Sequence, residues 1–189
     1  MSPVVWGLVA VLVLLALSVV VSHNRFVRQA ALVEESWGDI DVELSRRYDL
    51  IPNLVETVKG YAAHEREVLE LLVRARERAT AHRDESPAAR EGYEVALTGA
   101  LQSVLARVEG YPDLRASTNF LDLQRQLTLT EDRIAAARRF YNGNVRAYNT
   151  RVRTVPSNVV AAMFGFEAKD FFELRDAATA SVPGVDPAG

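Results

Sequence analysis

A chain of 189 residues, 49% of them apolar, has room for one ordinary domain with a real core and a short attached segment. Its net charge of −3, with arginines interspersed among acids instead of gathered in one basic block, excludes a general nucleic-acid binder. The absence of cysteine excludes disulfides, thiolate metal sites and cysteine nucleophiles, and leaves the compartment open.

Pro3 to Val21 is an unbroken uncharged run dominated by Val and Leu. At about 1.5 Å per residue it covers roughly 28 Å, enough to span a bilayer. A cleaved signal peptide is the rival interpretation. However, no Lys or Arg precedes the run, it is longer than a usual h-region, and Val19-Val20-Val21-Ser22 is a poor cleavage site. An uncleaved transmembrane anchor is therefore expected over residues 1–23. Arg25 and Arg28 lie on its C-terminal side, which places the N-terminus outside and the body of the protein in the cytoplasm, although Glu34 and Glu35 partly blur that bias.

No helix breaker follows the anchor, and Phe26, Ala30, Val33, Trp37, Ile40 and Leu44 step by three and four, the spacing of one apolar helical seam. At Pro52, which lacks an N–H and disfavours helical geometry at Ile51, a break or sharp bend is expected, with Asp49 placed to cap the helix that follows. Val55, Val58, Ala62, Leu69, Leu72 and Val73 form the stripe of that second helix, and the Glu/Arg alternation from Glu65 to Arg78 reads as its solvated face. Thr80 to Pro87 is a loop leading into a helix start. Tyr93, Leu97, Leu101, Val104, Leu105 and Val108 mark a third helix, stopped by Gly110-Tyr111-Pro112. The fourth and longest holds its rhythm from Phe120 through Leu127, Ile134, Tyr141 and Tyr148 to Val155. Between Pro156 and Gly165 a short apolar helix caps the bundle, and Phe166, Phe171 and Phe172 are expected to pack at the same end, contact with lipid or a partner being the alternative. The chain is thus predicted to be all-α. A transmembrane helix continues into an antiparallel bundle of about four long helices over residues 24–175, followed by a disordered tail over 176–189.

Little in this pattern carries chemistry. His64-Glu65 suggests a zinc protease, but that motif needs a second His at position 68, which is Val68. No serine nucleophile motif, phosphate loop or Glu-x-x-His pair of a di-iron bundle occurs. A seven-residue echo is more informative: Tyr141-Asn142 and Tyr148-Asn149, preceded by Arg138-Arg139, place both tyrosines on one helical stripe and both asparagines beside it. Such a ladder either closes a partly polar core or presents a recognition face. The internal network is favoured, with Asp49, Asn53 and Glu56 as chemically suitable partners.

The run Arg46-Arg47-Tyr48-Asp49-Leu50-Ile51-Pro52-Asn53-Leu54-Val55, followed by Val58-Lys59-Gly60-Tyr61 and His64-Glu65, closely resembles the LemA family of bacterial membrane proteins. The likeness continues through Gly110-Tyr111-Pro112-Asp113-Leu114, Ala137-Arg138-Arg139, Tyr141-Asn142, Tyr148-Asn149, Pro156-Ser157-Asn158 and Gly165-Phe166, covering about residues 24 to 173. His23-Asn24 departs from a more usual Tyr-Asn at the membrane exit. The resemblance implies a single-pass protein of the bacterial cell membrane with a cytoplasmic helical bundle, and it supplies no reaction and no cofactor.

The function expected from these features is a non-enzymatic, membrane-anchored scaffold or adaptor. Its partners would be the lipid bilayer, further copies of itself or other membrane proteins, with no nucleic acid, no metal and no small-molecule substrate identified. A membrane-shaping or envelope-stress protein acting through lipid contacts is the alternative. A hydrolase or metalloenzyme would require a buried cluster of carboxylates or histidines with room for a ligand.

Overall fold

A computed structural model describes residues 2–62 and 64–174. Among these, the chain forms α1 (Pro3–Lys59), α2 (Arg66–Ala81), α3 (Pro87–Val108), the short α4 (Pro112–Arg115), α5 (Thr118–Arg153) and α6 (Ser157–Phe164), and no strand. The predicted tail over 176–189 lies outside the described residues.

Helix α1 is long and apolar enough over its N-terminal part to cross a membrane. Residues 4–17 leave their large side chains exposed, Leu8, Leu12 and Leu14 each by more than half. Beyond them the predicted seam is real: Phe26, Val33, Ile40 and Leu44 are buried, and Ala30 and Trp37 are half-buried.

The expected helix break at Pro52 does not occur. α1 continues through Pro52 to Lys59, so Asp49 is an exposed residue inside the helix and caps nothing. A proline at this position removes one donor from the helical ladder and leaves the Tyr48 carbonyl, four residues back, without its usual partner. Arg76 of α2 takes that place: its Nε donates to the Tyr48 oxygen at 2.7 Å. The defect is thereby converted into a tie between two helices. An Arg76→Ala substitution is expected to cost about 1–3 kcal/mol in the parent, because it orphans a part-buried carbonyl. In a Pro52→Ala background, where the new N–H can occupy the same oxygen, it should cost measurably less. Equal costs in a denaturant double-mutant cycle would show that the two residues are not coupled. The chain actually turns after Lys59, held by Ala62 N–H on the Val58 oxygen at 2.8 Å and Glu65 N–H on the Ala62 oxygen at 3.0 Å.

The remaining ends follow local chemistry. Ser86 caps α3, its hydroxyl accepting from Ala89 N–H at 3.3 Å, with Pro87 in the first turn, where its missing N–H costs nothing. Gly165 closes α6 in the left-handed region at φ 72°, and Phe166 N–H reaches back to the Ala161 oxygen at 2.9 Å.

The chain divides into two compact units, Met1–Asp39 with Arg139–Phe171, and Ile40–Arg138 with Phe172–Gly189. The core of the first comprises Phe26, Val33, Tyr141, Val145, Tyr148, Val160 and Ala161. In the second, Ile40, Leu44, Ile51 and Leu54 of α1 are buried along with Leu69 and Leu72 of α2, Leu97 and Leu101 of α3, and Leu127 and Ile134 of α5.

Candidate functional site

Among the described residues, each unit contains a polar system that joins distant parts of its chain. In the second unit it is a buried ion-pair network. The α3 seam Leu97, Leu101, Val104 and Val108 continues backward through Glu94 and Arg90, which are as deeply buried as the leucines. Arg47 occupies the equivalent inward position on α1 and has no exposed surface. A carboxylate and two guanidiniums in such positions must pair, since an isolated buried charge is prohibitively costly.

Glu94 is held from two sides. Its Oε2 accepts from Arg47 Nη2 and its Oε1 from the Tyr48 hydroxyl, both closely, while Arg90 Nη2 stands 3.8 Å from Oε1. Arg47 Nη1 donates to Glu131 of α5 at 2.9 Å and to Thr98 of α3 at 3.2 Å. Arg90 Nη1 donates to Asp41 at 2.9 Å and to the Arg83 carbonyl at 2.8 Å, and Arg83 closes the chain on Asp41 at 2.7 Å. Arginines 47, 83 and 90 thus face acids 41, 94 and 131, and the charges balance. The Asp41 carboxyl pays for its partial burial but is still held below the usual range by hydrogen bonds from Arg83 and Arg90. Burial, and then the Glu94 carboxylate, push the Tyr48 phenol far above its ordinary value, so it stays a neutral donor.

In the first unit the polar system fastens the segment after α6. Asn149 pairs with the backbone of Lys169 on both sides, its Nδ2 donating to the Lys169 oxygen and its Oδ1 accepting from Lys169 N–H, each at 2.8 Å. The Tyr141 hydroxyl donates to the Asp170 carbonyl at 2.8 Å, and Phe166 stacks on Phe26 at 4.8 Å with Tyr148 edge-on at 6.0 Å. Burial, followed by the Asp170 charge, pushes the Tyr141 phenol up to about 12, and burial also raises Tyr148. A phenol with a raised pKa stabilises the fold fully below about pH 10, and that contribution fades as the pH climbs toward the raised value. Tyr141→Phe should therefore cost about 1 kcal/mol at pH 8, through the lost hydrogen bond, and flatten the decline between pH 10 and 12. Parallel stability–pH curves for parent and variant would contradict this.

The residues singled out from the sequence divide accordingly. Arg47 enters the buried network, and Tyr141, Tyr148 and Asn149 are buried around the segment after α6. Asn142 is half-buried, and Arg138 donates to the Leu174 carbonyl at 2.9 Å. Arg46 lies exposed, 3.5 Å from Glu43, and Arg139 is exposed. Asp49, Pro52, Asn53 and Glu56 are exposed on α1, with Glu56 accepting from Lys59 at 2.8 Å. The proposed partnership with the Tyr/Asn ladder is thus corrected: Tyr141 and Asn149 bind main-chain groups of Asp170 and Lys169 instead. A main-chain residue offers both a donor and an acceptor, which suit an asparagine amide better than a carboxylate does.

Tyr48, Arg90, Glu94 and Asp41 join the site without having stood out in the sequence. The available signal was charged residues in register with an apolar seam. His64 is exposed, and Glu65 accepts from the Tyr111 hydroxyl at 3.1 Å, which ties the turn before α2 to the turn before α4. Among the described residues, no group of three or more His, Asp or Glu is placed to hold a metal ion.

A family model described as the LemA family matches residues 36–186. Among curated proteins, the chain is similar to Protein LemA of Metamycoplasma hominis, 26% identical over 73% of this chain and 63% of that protein. It is also similar to magnetosome protein MamQ of Magnetospirillum gryphiswaldense, 24% identical over 82% of this chain and 66% of that protein. Magnetosome protein MamQ 2 of Paramagnetospirillum magneticum is 30% identical over 46% of this chain, which spans 32% of that relative's length.

Proposed function

Given that this chain belongs to the LemA family, we propose that it is a membrane-anchored, non-enzymatic scaffold or adaptor that presents its helical bundle for self-assembly or for binding other membrane proteins. The observation that carries this reading is helix α1. Without a break in its helical backbone it bears both the bilayer-length apolar run and the residues Ile40, Leu44, Arg47, Ile51 and Leu54 that build a buried core. Anchor and domain share one element, which favours a role in holding position over one in turnover.

The polar chemistry points the same way. Glu94, the deeply buried carboxylate, has both oxygens engaged by Arg47 and Tyr48, an arrangement that locks helices together. The exposed surface also carries an open groove bordered by α2 and α3, where the small residues Ala75, Gly92 and Ala96 alternate with the large side chains of Arg74, Arg78 and Tyr93, a mixed surface on which a partner could dock. Arg25 and Arg28 after the apolar run support a cytoplasmic bundle with the N-terminus outside.

The test is the mass and composition of the full chain extracted in native-like lipid after gentle cross-linking. A large particle of this chain alone indicates a homo-oligomeric scaffold, and a defined second protein indicates an adaptor. A strictly monomeric particle without a partner would overturn the proposal.

A further inference from the structure

The outer face of α6 is apolar and uncovered. Within α6, Val159 and Met163 are spaced four apart on one face and are 59% and 64% exposed, and the neighbouring Phe164 is 48% exposed. The opposite face, Val160 and Ala161, is buried in the core of the first unit. The eight residues of α6 include no charged side chain.

Its position within that unit tells what could cover this face. The Phe164 ring meets His23 edge-on at 4.6 Å, and His23 follows the end of the uncharged run at Val21 by two residues, about 3 Å along the helix axis. Phe166 stacks on Phe26, one turn further along α1. The C-terminal end of α6 thus sits where α1 leaves its bilayer-length apolar stretch. Arg25, Arg28 and Arg153, all exposed, lie in the same unit and suit anionic headgroups.

We propose that α6 is an interfacial helix, seated in the headgroup–acyl boundary of the membrane that α1 crosses, with Val159, Met163 and Phe164 in lipid. At eight residues it is too short to span, and its outward apolar face beside the exit of the membrane helix suits the boundary, where the positive charge that interfacial helices carry is supplied by Arg25, Arg28 and Arg153 of the same unit. α6 then fixes how deeply α1 sits and how it is rotated, by adding a second contact beside the anchor. The proposal rests on the reading that α1 is the anchor.

The chain contains no cysteine, so nitroxide labels can be introduced singly into the full-length protein in nanodiscs of mixed zwitterionic and anionic lipid. Labels at Val159→Cys and Met163→Cys report on α6, Leu12→Cys on the anchor, and Arg139→Cys, 14 residues before the exposed Arg153 on α5, on an aqueous site. Collision rates with oxygen and with a water-soluble nickel chelate are measured for each. At 159 and 163 the ratio should place the nitroxide roughly 5–10 Å inside the phosphate level, with Leu12 deeper and Arg139 in water. If Leu12 lies in lipid while 159 and 163 are open to nickel, the interfacial helix is overturned and the anchor stands. Sites 159 and 163 shielded from both reagents would mean that protein covers the face, which also overturns it. Leu12 open to nickel removes the anchor reading itself.

Discussion

Glu94→Ala is expected to lower the stability of the bundle by about 3–5 kcal/mol, the range found when one partner of a buried ion pair is removed. Arg47 would keep Glu131 and Thr98, and Arg90 would keep Asp41 and the Arg83 carbonyl. The Tyr48 hydroxyl and Arg47 Nη2, however, both lose the acceptor they share, in a place water does not reach. Denaturant unfolding of the full chain in a mild detergent, followed by far-ultraviolet circular dichroism, gives the number. A loss within about 1 kcal/mol would mean that the pair is not carrying the cost assigned to it. The paired variant Arg47→Met with Glu94→Leu separates charge from shape. Apolar residues of similar volume often replace a buried ion pair at little cost, so the double variant should recover much of what the single one loses. That outcome would identify the network's main contribution as register: an inward-facing Arg47 can be satisfied in one alignment of α1 against α3 and α5, whereas leucines tolerate several.

Asn149→Ala should have the second largest effect, about 2–3 kcal/mol, because it removes both hydrogen bonds to Lys169 at once and leaves a part-buried amide and carbonyl without partners. The effect should also be local. Hydrogen exchange at the Lys169 amide should accelerate by at least the fold-change corresponding to the lost stability, while amides of Leu97 and Leu101 in the other unit keep their protection. Asn149→Asp sharpens the test: it retains the acceptor for Lys169 N–H but sets a carboxylate against the Lys169 carbonyl, so it should be no better than alanine. Unchanged exchange at Lys169 in both variants would show that Phe166 and Tyr141 hold the segment by themselves.

Much of the fold is legible from spacing. The apolar stripes of α3 and α5, the capped start at Ser86-Pro87 and the glycine closure of α6 all follow from local rules, because each depends on residues within a turn or two of one another. Pro52 shows where a local rule fails. A proline inside a helical pattern argues for a break, yet here α1 runs on for seven more residues, and the donor that compensates comes from Arg76 on another helix. The candidate site was less legible. Arg47 stood out within a dense motif, but Glu94 looked like one more surface acid among the many charged residues of the chain. Its alignment with Leu97 and Leu101 marked it as buried without naming its partner.

From the sequence alone come the all-α class, the bilayer-length apolar run, the membership of a family and the stripes that face inward, since these depend on composition and on periods of three to four residues. Only the tertiary structure decided where α1 ends, that Tyr141 and Asn149 grip the main chain of Asp170 and Lys169, and that Arg47, Glu94 and Glu131 share one network. Those partners lie 20 to 84 positions apart. No periodicity spans such distances, and which donor meets which acceptor is settled only when burial removes water as the competing partner.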